Sequence, residues 1–535
     1  AANLQARLSD AVIESALRRM PPEHYALSAG EVGAAIRGRR DGMRVVAARL
    51  YAQLVREAEV HSTDERERAE VERFPDGSVE VRISELNRAG AARAPFYRRR
   101  FDPRETREIR LDLHGGDDHA VVYGAAPSSI LVRVLGGGGD DVLEDRSRVP
   151  GTRTAFYDSR GENRFVPGPG TKVDPRPWEE PEHVRGNLSD PPRTWGASSS
   201  LFSASAGWRS NVGPVVGVGP AFTRYGFRRH PYAEKWRLQA MYAPLYNRFG
   251  VEYTGDFRRV GSDARLEVLA RVSNMEVTRF HGFGNETGES GDGDRYKVWH
   301  TVVRVEPLWS LRERNDVVVS LGPVLRFYDA EMDDDVLATQ LRPRGSEAFG
   351  EAGGQGWAVW DTRDSEDFPR SGVRVRAGGV AFPAVWELDG PFGRAEAEAT
   401  GFLSLPGERG PTLALRGGAV RAWGDFPFQE AAFVGGSRSL RGFSHQRFAG
   451  ETALYGNAEV RAPLVYTNLG VRGWLGVTGL FDVGRVYAEG ESSDRWHSAP
   501  GAGLWFATME RSTILGVTYA RGERDRVYFH LGFPF

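Results

Sequence analysis

Gly435-Gly436-Ser437-Arg438-Ser439-Leu440-Arg441-Gly442-Phe443, read with the chain end Val527-x-Phe529-x-Leu531-x-Phe533-x-Phe535, decides the fold. The first stretch is an Arg-Gly-Phe loop tip set among segments of alternating polarity. The second is one apolar face of a strand that finishes on an aromatic residue. Such an ending suits a closed sheet whose outer surface meets lipid and whose last strand stops at the membrane interface. The reading is an all-β transmembrane barrel.

Working outward, residues 195–535 alternate throughout. Val251, Tyr253, Gly255 and Phe257 are interleaved with Glu252, Thr254 and Asp256. Val373, Val375 and Ala377 are interleaved with Arg374 and Arg376, and Leu454, Gly456, Ala458 and Val460 with Tyr455, Asn457, Glu459 and Arg461. A barrel places the charged face in its lumen. Candidate strands number about eleven before the Arg441 loop and about five after it, a total of about sixteen antiparallel strands and an even one. An even count puts both barrel ends on one side, so the domain before Trp195 is expected in the compartment of Phe535, the periplasm.

The connection 433–452 is long for a hairpin, and long connections in compact domains are usually functional or disordered. It holds Phe433, Leu440, Phe443 and Phe448, which a solvated loop does not need. It is therefore expected to fold into the lumen. A guanidinium there needs anionic partners. By strand parity Glu459 and Asp482 point inward and offer them, with Arg441 held as in a bidentate clasp.

Upstream, residues 1–65 read as helical. Leu4, Leu8, Val12, Ala16 and Leu17 follow the 3.6-residue period, and Ser28 with Glu31 reads as a capping box opening a second helix buried along Val32, Ala35, Ile36, Val46, Leu50 and Leu54. Residues 66–166 switch to period two. Glu108–Asp118 is echoed by Ile130–Asp141, each a strand ending in Gly-Gly-Asp-Asp, as in stacked solenoid rungs or a small sandwich. Residues 167–194 are a proline-rich linker. The whole is a small α+β N-terminal domain followed by a barrel.

Composition sets the bounds. The 535 residues carry 70 basic against 72 acidic side chains, net −2, which gives no bulk field for nucleic acid. There is no cysteine, hence no disulfide or thiol chemistry. A mean hydropathy of −0.44 and the lack of any long apolar run exclude a spanning helix but not a barrel, which shows lipid only alternate residues. No signal peptide opens the sequence at Ala1, so the numbering is expected to begin inside a longer polypeptide.

Leu440-Arg441-Gly442-Phe443, Tyr455-Gly456-Asn457-Ala458-Glu459-Val460-Arg461-Ala462-Pro463 and Gly479-Leu480-Phe481-Asp482-Val483-Gly484-Arg485-Val486 resemble the C-terminal half of the BamA/TamA-type superfamily of outer-membrane assembly and translocation barrels, the bacterial surface antigen family. Asp361-Thr362-Arg363-Asp364 with Pro369-Arg370-Ser371-Gly372, and Phe280-His281-Gly282-Phe283-Gly284-Asn285, are similar to motifs of the same family. The resemblance covers roughly residues 195–535.

It implies a sixteen-stranded barrel with a lumen loop whose Arg441, Gly442 and Phe443 tip is held by Glu459 and Asp482. It further implies a seam between first and last strands, with Val527, Phe529, Leu531, Gly532, Phe533 and Phe535 as the terminal seam and assembly signal. The implied function is insertion or translocation of polypeptides. Its partners are the lipid bilayer, unfolded outer-membrane or secreted clients, and accessory lipoproteins. The docking repeats that usually precede such barrels are not seen before Trp195. The helices and acidic glycine corners instead resemble the segment preceding the barrel in chains fused to a metallophosphoesterase-like domain.

A passive pore, or a membrane anchor for an enzyme domain upstream, are the rival readings. Catalysis by these residues is not expected, and no cofactor is called for. Asp117, Asp118, Asp140 and Asp141 are weak calcium candidates, since the full calcium-binding repeat is incomplete. The histidines, among them His61, His114, His119, His281 and His445, show no metal-ligand spacing.

Overall fold

The computed structural model describes residues 1–177, 196–229, 231–258, 264–289, 291, 293–313, 317–468, 470–508, 511 and 513–535. Most of the expected linker 167–194 lies outside them. The chain divides into two compact units, Ala1–Pro181 and Glu182–Phe535.

The N-terminal unit begins with helices Ala2–Arg7, Asp10–Leu17 and Pro22–Leu54. Ser9 caps the second helix, its hydroxyl accepting from the Val12 N–H. The expected break at Ser28 is absent: one helix runs from Pro22 to Leu54, and the Ser28 hydroxyl donates to the His24 carbonyl one turn back. Ser, whose side chain can bond locally, is tolerated inside a helix by that route. The expected buried stripe also fails along its whole length: Val32 and Ala35 are exposed and Ile36 is only half-buried. Leu17 packs against the helix at Gly33 and Arg40 binds the Leu8 carbonyl and Asp10, whereas Val46, Leu50 and Leu54, beyond these contacts, stay about half exposed.

From Glu57 the chain winds into stacked rungs. Glu57–His61, Glu108–Asp112, Leu131–Leu135, Thr154–Tyr157 and Thr171–Asp174 form one parallel sheet. Glu67–Arg73, His119–Gly124, Val142–Asp145 and Arg164–Val166 stack parallel in a second, extended by the antiparallel strands Val79–Glu85 and Tyr97–Phe101. Val71, Val81, Ile109, Leu111, Val122, Val134, Leu143 and Phe156 fill the core. This is a β-solenoid carrying a hairpin insertion.

The Gly-Gly-Asp-Asp corners make the stacking work. A Cβ on Gly139 would lie 1.9 Å from the Gly116 carbonyl oxygen, and one on Gly161 1.8 Å from that of Gly139, so only glycine lets successive rungs approach. The aspartates tie adjacent rungs: Asp118 accepts from the Glu67 N–H (2.7 Å) and Asp141 from that of Asp118 (2.8 Å) on the preceding rung, and Asp117 from that of Asp140 (3.1 Å) on the following one.

The second unit is a sixteen-stranded antiparallel barrel, eleven strands before the long loop and five after it. It runs from Ala197–Arg209 to Asp525–Leu531. Its packing is inverted relative to a soluble sandwich. On the eleventh strand, Thr412–Gly424, Leu413 and Leu415 face out while Thr412 and Arg416 are buried. On the fifteenth, Ile514–Arg521, Leu515, Val517 and Tyr519 face out while Thr518 is buried. Apolar side chains outside and polar ones inside are stable where the outer medium is lipid. No helix among the described residues is long and apolar enough to cross a membrane.

One expectation at the chain end is overturned. Val527, Phe529 and Leu531 do form an outward apolar face, Phe529 81% and Leu531 79% exposed. The strand stops there. Gly532, at φ +78°, turns the backbone, and the two remaining aromatics leave that face. Phe533 packs against Phe368 and the inward-facing Trp505, with the Arg461 guanidinium 4.0 Å from its ring centre. The Phe535 carbonyl oxygen accepts from Arg461 (2.8 Å), and its ring lies beneath Arg416. Alternation predicts direction only while the ladder lasts; one left-handed glycine reverses it.

Candidate functional site

The connection from 425 to 451 enters the barrel and forms a small hairpin of its own, Ala432–Val434 against Phe448–Gly450. Val434, Leu440, Phe443 and Phe448 are buried with Val420, Ala453, Val486 and Ala499 of the wall, which accounts for apolar residues in a lumen loop. Ser439 closes the turn, its hydroxyl accepting from the Gly435 N–H (2.9 Å), and its carbonyl accepts from Asn457 (2.9 Å).

At the tip, Arg441 is 2% exposed and faces two buried carboxylates. Nε donates to Asp482 Oδ2 and Nη2 to Asp482 Oδ1, both at 2.7 Å; the Arg441 backbone N–H adds a third bond to Oδ2 at 3.0 Å. Nη1 donates to Glu459 Oε1. The other Glu459 oxygen accepts from Arg461 Nε (2.9 Å). Glu459 lies on the twelfth strand, Thr452–Asn468, and Asp482 on the thirteenth, Arg472–Tyr487. Both carboxylates therefore have nearly every oxygen committed, as buried charges require.

Gly442 follows at φ +82°, its amide donating to the Tyr528 hydroxyl (3.0 Å) and its carbonyl accepting from Arg524 (3.1 Å). A Cβ here would meet the Gly522 nitrogen at 2.5 Å. The loop tip thus touches the final strand and the turn that leads into it. Phe443 stacks edge-on with His497.

A second anchor is absent from the sequence reading. Arg447, also 2% exposed, donates through Nε to Glu523 Oε2 (2.6 Å) and through Nη2 to Oε1 (2.8 Å), and through Nη1 to the Thr287 hydroxyl (2.8 Å). The only signal in the sequence was a lone arginine between Gln446 and Phe448, six residues past Arg441. Thr287 belongs to the connection between the fifth strand, Arg265–Arg279, and the sixth, Lys297–Glu313, which begins with the Phe280–Asn285 motif. There Gly284 donates to the Ala449 carbonyl (2.8 Å), and the Asn285 amide bridges Val486 and Glu491. Two sequence-distant motifs thus meet in one plug.

The first and last strands are not hydrogen-bonded into a ladder among the described residues. They do come close: Trp208 lines one outward hollow with Phe529, His530 and Leu531. The last strand has seven residues and the first thirteen.

The calcium candidates Asp117, Asp118, Asp140 and Asp141 each commit one oxygen to a backbone N–H of an adjacent rung. The histidines, which show no metal-ligand spacing in the sequence, include one pair that the fold brings together. His61 and His114, 53 positions apart, stack face to face, because parallel rungs place the end of one strand above the end of the next.

A family model for the Omp85 superfamily domain matches residues 232–534, more than half of the chain. No curated protein sequence matches it. Solved structures similar to it include BamA from Haemophilus ducreyi lacking POTRA domains 1–3, at 12% identity over 63% of this chain and 69% of that one, with a TM-score of 0.46. CdiB from Escherichia coli is similar at 12% identity over 63% of each chain, TM-score 0.42. CdiB from Acinetobacter baumannii is similar at 13% identity over 62% of this chain and 56% of that one, TM-score 0.38. By the family match, this chain belongs to the Omp85 superfamily and is an outer-membrane β-barrel.

Proposed function

We propose that the barrel inserts or translocates polypeptide substrates at the outer membrane through the seam between its first and last strands, its N-terminal unit and C-terminus lying in the periplasm. The observation that carries this reading is the missing ladder between Ala197–Arg209 and Asp525–Leu531. A strand edge with unsatisfied N–H and C=O groups templates an incoming strand. Gly532 shortens that edge by turning the chain inward.

The clasp is the natural control element. Arg441 ties the lumen loop to the wall, and Gly442 and Arg447 tie it to Tyr528 and Glu523 beside the seam. Clients on this reading are unfolded outer-membrane or secreted proteins, with accessory lipoproteins as further partners. Depleting the protein should leave other outer-membrane barrels unassembled, seen as loss of their heat-modifiable folded forms. Full assembly of other barrels after depletion, together with intact secretion, would favour a passive pore or an anchor for an upstream enzyme.

A further inference from the structure

We propose that His61, Asp112 and His114 form a binding site for one divalent transition-metal ion of the zinc class, at a corner of the β-solenoid. His61 and Asp112 are register partners at the ends of adjacent parallel strands, and His114 follows two residues later. One nitrogen or oxygen from each of the three lies within 4.8 Å of the others. His61 Nδ1 and His114 Nε2 are 3.2 Å apart. Two nitrogens bound to zinc at about 2.0–2.1 Å with tetrahedral angles stand about 3.3–3.4 Å apart, close to the spacing of this histidine pair.

The backbone at His114 points the same way. It sits at φ +64°, and Gly137 occupies the same station one rung on, at φ +103°. The corner therefore calls for glycine. A side chain there costs conformational energy and persists where it has work to do. Two bonds hold His114 in place: Gly138 of the neighbouring rung donates to its carbonyl (2.8 Å), and its own amide donates to Asp112 Oδ1 on the same rung (3.2 Å).

Two imidazoles and one carboxylate suit zinc, nickel or cobalt better than calcium, which prefers six to eight oxygens. Both histidines are exposed and Asp112 is half-buried, so metal has an entry path and the fourth position opens to water. Three protein ligands with one open position are the pattern of an ion that holds a further group. Parallel stacking carries residues 53 positions apart to one point.

The test is titration of the full chain in detergent with Zn²⁺ against a chromophoric chelator, and with Co²⁺ followed by visible absorption. We expect one equivalent bound with a tetrahedral Co²⁺ spectrum. His61→Ala, Asp112→Asn and His114→Gly should each weaken binding by more than about 100-fold, beyond the 10–100-fold typical of outer-shell changes. His114→Gly is the informative variant, because glycine relieves the corner: its circular dichroism and melting should be retained or improved without metal, and zinc should no longer raise its melting temperature. Binding by wild type that persists unchanged in His114→Gly, or no saturable binding at about micromolar free metal, would overturn the site and leave a hydrogen-bonded histidine pair.

Discussion

Arg441 and Asp482 are joined by two parallel N–H···O bonds of 2.7 Å, with the Arg441 amide adding a third, in a barrel interior where neither side chain is more than 2% exposed. Taking both charges out of water is costly, and their attraction repays it only with this geometry. Removing one partner leaves the other buried and unmatched. Arg441→Ala should therefore cost about 3–5 kcal/mol, and it should expose loop 433–452 to trypsin at Arg438 and Arg447. Arg441→Lys should recover only part of this, since a lysine cannot make the fork. Unfolding in denaturant and limited proteolysis read both effects.

Arg447 and Glu523 should couple the plug to the last strand. A double-mutant cycle with Arg447→Ala and Glu523→Gln should give an interaction free energy of about 0.5–3 kcal/mol. Arg447→Ala alone should raise the mobility of a spin label placed on the 521–525 turn. No coupling would detach the loop from the seam.

The outer face should behave as a lipid contact. Leu415→Arg should destabilise the folded barrel by about 2–4 kcal/mol if that residue lies near the bilayer midplane. A substitution to Ala at the same site should cost far less. The folded fraction on unheated gels after refolding into liposomes provides the measurement.

The solenoid corners should make the N-terminal unit sensitive to alkali. Burial pushes the Asp118 carboxyl up to about 8 and that of Asp141, beside Asp158, up to about 7. The folded state thus holds protons that the unfolded chain releases near pH 4. Stability from these groups is full below that value and declines as pH rises through about 7 to 8. Asp118→Asn should stabilise the unit at pH 9, by order 2 kcal/mol, and make little difference at pH 4. Thermal unfolding at the two pH values decides the sign.

Strand parity was enough to read the barrel, because an outer face of Leu, Val and Tyr over a polar inner face has no stable soluble counterpart. Glu459 and Asp482 were legible for the same reason: alternation gives the inward side without needing the partner. Phe533 and Phe535 were not, since Gly532 ends the alternation and nothing in the period marks where. Ser28 misled because a helix can absorb a serine by back-bonding. His61 and His114 were hidden by sequence distance; only the rung spacing, set by glycine corners, brings them together.

The proposed insertion needs a seam that opens. The chain has no cysteine, so a pair introduced on the facing edges of Ala197–Arg209 and Asp525–Leu531 would be the only thiols present. Client-barrel assembly in proteoliposomes should be lost when that pair is oxidised and regained on reduction, with the single-cysteine forms unaffected. Undiminished assembly by the locked barrel would contradict the central claim.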